Sequence, residues 1–293
     1  MSTWIVGSCL DRVPGRRYAA RLPFAEVAPR RPLPRPATLA RSRARLGEDF
    51  RVALVAPRTL WAEHVAPLRP GPELDDVVTW IRDAASALRA RAVVVPTGSE
   101  VSTSLRDRER LAVLLERISD AGRLTVWAPT GLWEPDEVAE QAARMGVLFA
   151  YDPLDPSAPR PGGPTAYARL RAGGARRRFG TEALQSAAVA LAELACDEGL
   201  VAIDSPSSLR EATTLARIVS QSLSGNRLES SRDDDGGEDG ASEDEEAAWV
   251  DDEPDDEPAD ADDDDEESWE DDPDPSDDED EEDDEDEGDE RER

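Results

Sequence analysis

Short apolar runs alternate with helical stripes along most of the chain. Eight runs read as strands: 4–7, 24–27, 51–55, 92–95, 124–127, 147–151, 166–170 and 200–203. Most show little inside–outside alternation, as expected of parallel strands covered on both faces. Between them, apolar residues recur at helical spacing. Leu74, Val77, Val78, Ile81 and Leu88 form one stripe, and Leu111, Leu114, Leu115 and Ile118 a second. Val138, Ala142 and Met145 form a weaker third. Leu184, Ala187, Ala188 and Leu191 form a fourth, and Leu209, Ala212, Leu215, Ala216 and Val219 a fifth. Segments near Tyr18 and from 36 to 46 read as further helices.

The punctuation repeats. Gly122, Gly146 and Gly199 each stand between a helical stripe and the next strand, where a left-handed residue ends a helix. Ser208 with Glu211 reads as a capping box. Pro135, Asp136 and Glu137 suit a first helical turn, where acids meet the positive end of the helix dipole. Strand, helix, glycine, strand, repeated, predicts right-handed βαβ units. Eight strands in that order predict an α/β fold, a TIM-type (β/α)8 barrel over residues 1–223. A doubly wound open sheet is the alternative.

Charge divides the chain. Its 293 residues carry a net charge of -33. The first 228 hold 26 acids and 31 arginines, a net of +5, whereas the last 65 hold 41 acids and 3 arginines, a net of -38. Breakers cluster from Gly225 through Gly240, and beyond them the sequence is low-complexity acid. Residues 224–293 are therefore predicted to be a disordered acidic C-terminal tail with almost nothing to bury. Trp249 and Trp269 interrupt it. Such a tail suits docking to a basic protein, or simple solubilisation.

All 34 basic residues are arginine. The absence of lysine excludes a pyridoxal phosphate anchor, Schiff-base chemistry and a P-loop lysine. One histidine, His64, and two distant cysteines, Cys9 and Cys196, give no Cys/His metal cluster. No cofactor is expected, although carboxylate oxygens can bind Mg2+. Two thiols without a disulfide framework suit the cytoplasm. The first residues lack the features of a signal peptide, and no apolar run is long enough to span a membrane.

A barrel builds its site at the carboxyl ends of its strands. Candidate catalytic residues are Glu26, Asp152 and Asp204 as acid/base groups, with His64 as a general base near neutral pH. The ordinary alternatives are loop-start acids and a surface histidine. Cys9 is a nucleophile only if a positive neighbour lowers its pKa; otherwise it is packing. The loop after the seventh strand combines Arg169, Arg171, Gly173, Gly174, Arg176, Arg177 and Arg178. Glycine lets the backbone approach an anion, and barrels often bind phosphate near the loops after strands seven and eight. The anions that suit it are a phosphorylated small molecule, a nucleic-acid backbone or the protein's own acidic tail. The alternative is a solvated basic loop.

The order of several motifs resembles the domain-of-unknown-function-72 (YecE-like) family over 4–223. They are Val6-Gly7-Ser8, Pro23-Phe24-Ala25-Glu26-Val27, Phe50 through Ala56-Pro57-Arg58 to His64, Trp133, Asp152 and Tyr167-Ala168-Arg169-Leu170. The resemblance implies a TIM-type barrel. The sequence departs from the family pattern at Ala28, Val55, 127–130, Arg171-Ala172 and Asp204-Ser205, where the family has asparagine, lysine, Glu-Phe-Arg-His, His-Gly and paired asparagines. These departures imply a member depleted of the shared polar set. Two functions follow. One is an interaction protein that works through its acidic tail. The other is a barrel enzyme, hydrolytic or acting on a phosphorylated compound.

Overall fold

The computed structural model describes residues 3–58, 68–173 and 177–229, with 222–229 described by backbone alone. His64, Gly174, Arg176 and the acidic segment from 230 onward lie outside the described residues. Eight strands, all parallel, close in sequence order into one barrel. They are β1 (Thr3–Leu10), β2 (Phe24–Val27), β3 (Arg51–Val55), β4 (Ala92–Thr97), β5 (Leu124–Pro129), β6 (Leu148–Tyr151), β7 (Thr165–Arg171) and β8 (Glu198–Asp204). Closure is made by β8 against β1, with Thr3 opposite Glu198 and Ser8 opposite Ile203. The predicted TIM-type (β/α)8 barrel is the observed fold, and the open sheet is not.

Among the described residues the helices are α1 (Arg16–Ala19), α2 (Pro36–Arg43), α3 (Pro72–Ala87), α4 (Leu105–Ile118), α5 (Pro135–Met145), α6 (Thr181–Ala192) and α7 (Ser208–Glu229). The predicted stripes are their buried faces: Leu111, Leu114, Leu115 and Ile118 of α4 are essentially inaccessible. β6 and β7 are joined without a helix, consistent with the lack of an apolar stripe between 152 and 164.

Two cores result from the two faces of each strand. Outward side chains meet the helices. Inward ones, including Phe24, Ala53, Val94, Val126, Tyr167, Leu200 and Ala202, fill the lumen. Two rings are accommodated there by small neighbours, since a packed interior has little slack. Phe24 meets Tyr167 edge-on, with centroids 6.5 Å apart. A Cβ on Gly7 would lie 2.2 Å from the Phe24 carbonyl oxygen, so β1 carries no side chain at that level.

The glycine reading needs correction. Gly146 is left-handed (φ 66°) and caps α5 as expected. Gly199 lies inside β8, where a Cβ would fall 2.3 Å from the Trp4 indole, which lies against it and donates Nε1–H to the Leu191 carbonyl at 3.0 Å. Gly122 has no positive φ; its N–H donates to Asp120 Oδ1 at 3.1 Å. The capping box also differs. Glu211 accepts Phe179 N–H at 2.8 Å and the Ser205 hydroxyl, so it ties the loop after β7 to the loop after β8.

Arg43 is buried and, among the described residues, forms no ion pair with a carboxylate. It donates to five carbonyls: Leu88 at 3.1 Å, Leu46 at 3.3 Å, Gly47 at 3.0 Å, Glu48 at 3.4 Å and Phe50 at 3.0 Å. One planar guanidinium thus joins the end of α2, the end of α3 and the turn into β3. Arg43→Lys offers at most three donors from a single nitrogen and cannot span these acceptors. A loss of about 2 kcal/mol is expected, read by chemical denaturation, because buried carbonyls lose their partners.

Candidate functional site

Side chains alternate along a strand, so Tyr167, Arg169 and Arg171 of β7 share the lumen face and climb toward its carboxyl end. Register places Arg171 beside Asp204 of β8, and Cys9 of β1 beside Glu26 of β2. Glu26 is fully buried. Tyr167 donates its hydroxyl to Glu26 Oε1 at 2.7 Å, and Arg169 donates Nε–H to Oε2 at 2.9 Å. Arg169 Nη2 reaches Asp204 Oδ2 at 3.2 Å and Cys9 Sγ at 3.7 Å. One guanidinium therefore sits at the centre of the acids.

The electrostatics follow from burial beside charge. Burial, then the Glu26 carboxylate, pushes the Tyr167 phenol well above its ordinary value. Burial and Glu26 raise the Cys9 thiol far above the usual range as well. Cys9 is therefore a neutral thiol and no nucleophile at physiological pH. Burial works against the charge of Arg169 but is outweighed by Glu26, with Asp204 adding, so the guanidinium stays protonated.

Above Arg169 opens a cavity of about 380 Å³. Its floor and walls include Ala28, Val55, Thr97 and Thr130; Arg171 and Asp204 border it, and Arg30, Arg31 and Arg58 line it from the loops after β2 and β3. Arg58 is held in place. It donates Nε–H to Glu100 Oε1 at 2.8 Å and Nη2–H to Oε2, while Gly98 N–H also donates to Oε1 at 2.9 Å. A Cβ on Gly98 would overlap the Arg58 guanidinium, so glycine is what allows this fork to close. Burial alone would raise the Glu100 carboxyl, but the hydrogen bonds from Arg58 and the backbone bring it below its ordinary value.

Four of the sequence candidates, Glu26, Arg169, Arg171 and Asp204, converge here. Asp152 does not border the cavity; its Oδ1 accepts Leu154 N–H at 2.9 Å in the turn after β6. Gly173, Arg177 and Arg178 are exposed and do not line the cavity either. His64, Gly174 and Arg176 fall outside the described residues. Trp133 is part of the scaffold: it donates Nε1–H to the Val101 carbonyl at 3.1 Å and stacks edge-on against Trp127 at 4.8 Å. Sequence reasoning missed Arg30, Arg31, Thr97, Thr130 and the partnership of Tyr167. Tyr167 was findable, because it precedes Arg169 by two positions on a strand. Among the described residues, no group of three or more His, Cys, Asp or Glu is placed to hold a metal ion, and no helix is long and apolar enough to cross a membrane.

Two outcomes are expected. Glu26→Gln leaves the buried Arg169 without its closest counter-charge and should cost about 3–5 kcal/mol in chemical denaturation. Tyr167→Phe removes one hydrogen bond to the same carboxylate and should cost about 2 kcal/mol. A smaller loss for Glu26→Gln than for Tyr167→Phe would contradict the ion-pair account. The second outcome concerns pH. A carboxyl depressed in the fold contributes stability above its ordinary value, near 4.5 for Glu100, and loses it as pH falls through the lower folded value. The melting temperature of the protein should exceed that of Glu100→Gln at neutral pH. The gap should close as the solution is acidified below that range.

No family model matches the sequence, and no curated protein matches it. The barrel is similar to two crystal structures of a DUF72 family protein from Enterococcus faecalis V583. One has a TM-score of 0.57 at 11% identity, covering 74% of this chain and 96% of that one. The other has a TM-score of 0.57 at 13% identity, covering 76% and 98%. The likeness in fold thus runs over nearly the whole length of the DUF72 protein.

Proposed function

We propose that this chain is a diverged DUF72-type barrel that binds a small anionic ligand at the carboxyl ends of its strands without acid/base turnover. The acidic C-terminal segment then serves to engage a basic protein partner. The observation that carries the barrel half is the bonding of Glu26. Both of its oxygens are occupied, by Tyr167 and Arg169, and the residue is fully buried. A general base needs a free lone pair within reach of the substrate proton. Glu26 is fully buried and does not line the cavity, so it is out of reach of a ligand's proton; it fixes Arg169 instead. Asp204 bonds Arg169 through Oδ2 and so helps to fix it.

The remaining character of the cavity is cationic. Five arginines border it against one carboxylate, Asp204. Arg169, Arg58 and Arg30 are paired with Glu26, Glu100 and Asp11, while Arg171 stands 3.9 Å from Asp204. Low-dielectric walls strengthen such a field for an anion that enters. The volume lies within the range of small-molecule pockets. The tail half rests on composition, with a net of -38 in 65 residues. A basic surface would gain by displacing counterions from such a segment, and the gain would fall with salt.

Titration calorimetry of the full chain with inorganic phosphate tests the barrel half. Phosphate is expected to bind, and Arg171→Ala, at a half-exposed position, is expected to weaken it about tenfold. Absence of binding, or an Arg171→Ala variant with unchanged affinity, would refute the reading. For the tail half, the full chain is expected to retain a basic protein at low salt and release it at high salt. A chain ending at Gly237 should not retain it.

A further inference from the structure

We infer that the ligand of the barrel mouth is a phosphorylated polyol or sugar, with its phosphate on Arg169 and Arg171 and its hydroxyls on Asp204 and Thr130. This rests on the anion-binding reading above and specifies what that anion carries.

The first observation is that donors and an acceptor face the same cavity. Among the described residues, Arg169 spends Nε on Glu26 and Nη2 on Asp204 and Cys9, and its Nη1 donates to nothing. Arg171 approaches one group, Asp204 Oδ2, at 3.9 Å, beyond hydrogen-bond distance. Two guanidinium edges are thus left to donate. Phosphate offers three acceptor oxygens and suits several converging N–H groups.

The second observation is that Asp204 is only half consumed. Its Oδ2 faces both arginines, while Oδ1 accepts no hydrogen bond from a described residue. The side chain is 37% exposed at the cavity edge. A bare carboxylate lone pair beside an anion site repels a simple anion. It becomes favourable only if the bound molecule presents a hydrogen-bond donor to it. Thr130 adds to this. Its hydroxyl donates to the Thr97 carbonyl at 2.9 Å, so its oxygen remains an acceptor toward the cavity. A site with cationic donors and neighbouring acceptors calls for a molecule that has both a phosphate and hydroxyls.

The third observation is size. A liquid water takes about 30 Å³, so 380 Å³ holds on the order of a dozen water-sized groups, far more than one phosphate. A five- or six-carbon phosphate ester is of that size. The walls contributed by Ala28 and Val55 are apolar and suit the carbon faces of such a chain.

The test compares three probes on the full chain by calorimetry: inorganic phosphate, a six-carbon polyol monophosphate and hexyl phosphate. The two esters share charge and chain length and differ in hydroxyls. The polyol phosphate is expected to bind about tenfold more tightly than hexyl phosphate, because polar groups left unpaired reject the analogue that lacks them. Asp204→Ala should abolish that preference while leaving inorganic phosphate bound as well or better, since a like charge is gone. If Asp204→Ala lacks a cooperative melt, Asp204→Asn carries the comparison, and its preference must shrink. Equal binding of the two esters, or a preference that survives both substitutions, overturns the inference and leaves the anion-binding reading intact. Failure of all three probes to bind refutes that reading instead.

Discussion

The Arg169–Glu26 pair governs what the barrel mouth can do. A guanidinium and a carboxylate taken out of water each lose several kcal/mol of hydration, on the order of what their attraction returns. The pair persists because further hydrogen bonds support both partners. Tyr167 takes the second Glu26 oxygen, and Asp204 and Cys9 take a second edge of Arg169. Each of these bonds removes a group from chemistry. The phenol and the thiol are both driven toward their neutral forms, and the carboxylate is fully enclosed. The same arrangement that makes Glu26 inert makes Arg169 rigid, and rigidity is what a charge-recognition site needs.

Strand period sets the layering. Moving up β7 by twos, Tyr167 closes the apolar lumen, Arg169 forms the charged floor of the mouth, and Arg171 stands at its edge, half exposed. Phe24 and Tyr167 form the last aromatic layer beneath the charge. The phenol turns this boundary into a joint, because its ring packs downward and its hydroxyl bonds upward. An apolar plug directly below the pair also keeps water from entering through the barrel and screening it.

The strands were legible because parallel strands buried on both faces must be continuous apolar runs, as at 92–95. Their ends were less so. β1 runs to Leu10, past the predicted end at 7, because its pairing with β2 includes Cys9 and Leu10. Gly199 misled because a glycine before a strand looks like a helix cap, whereas its reason lies in Trp4, far away in sequence and adjacent in the sheet. The site shows the same division. Arg169 and Arg171 were visible as a local cluster. The bond from Tyr167 to Glu26 joins positions 141 apart across the lumen, and no local pattern announces it. Arg30 and Arg31 lie between Pro29 and Pro32, and nothing in that neighbourhood distinguishes a rim residue from a solvated one.

The absence of lysine takes on meaning beside these contacts. Arg43 reaches five carbonyls, Arg58 forks onto Glu100 over Gly98, and Arg169 holds three different partners at once. Each task uses several fixed N–H directions from one plane, and an ammonium, a single point with rotating donors, performs none of them. Arginine is also less strongly hydrated, so burying it costs less. The same property operates at the mouth. A guanidinium with one edge bonded to the fold still presents another edge, at a set angle, to whatever enters. A chain whose only cations are arginines can therefore use one residue both to lock its scaffold and to hold a ligand. Arg169, bonded to Glu26 on one edge and bordering the cavity, occupies that double position.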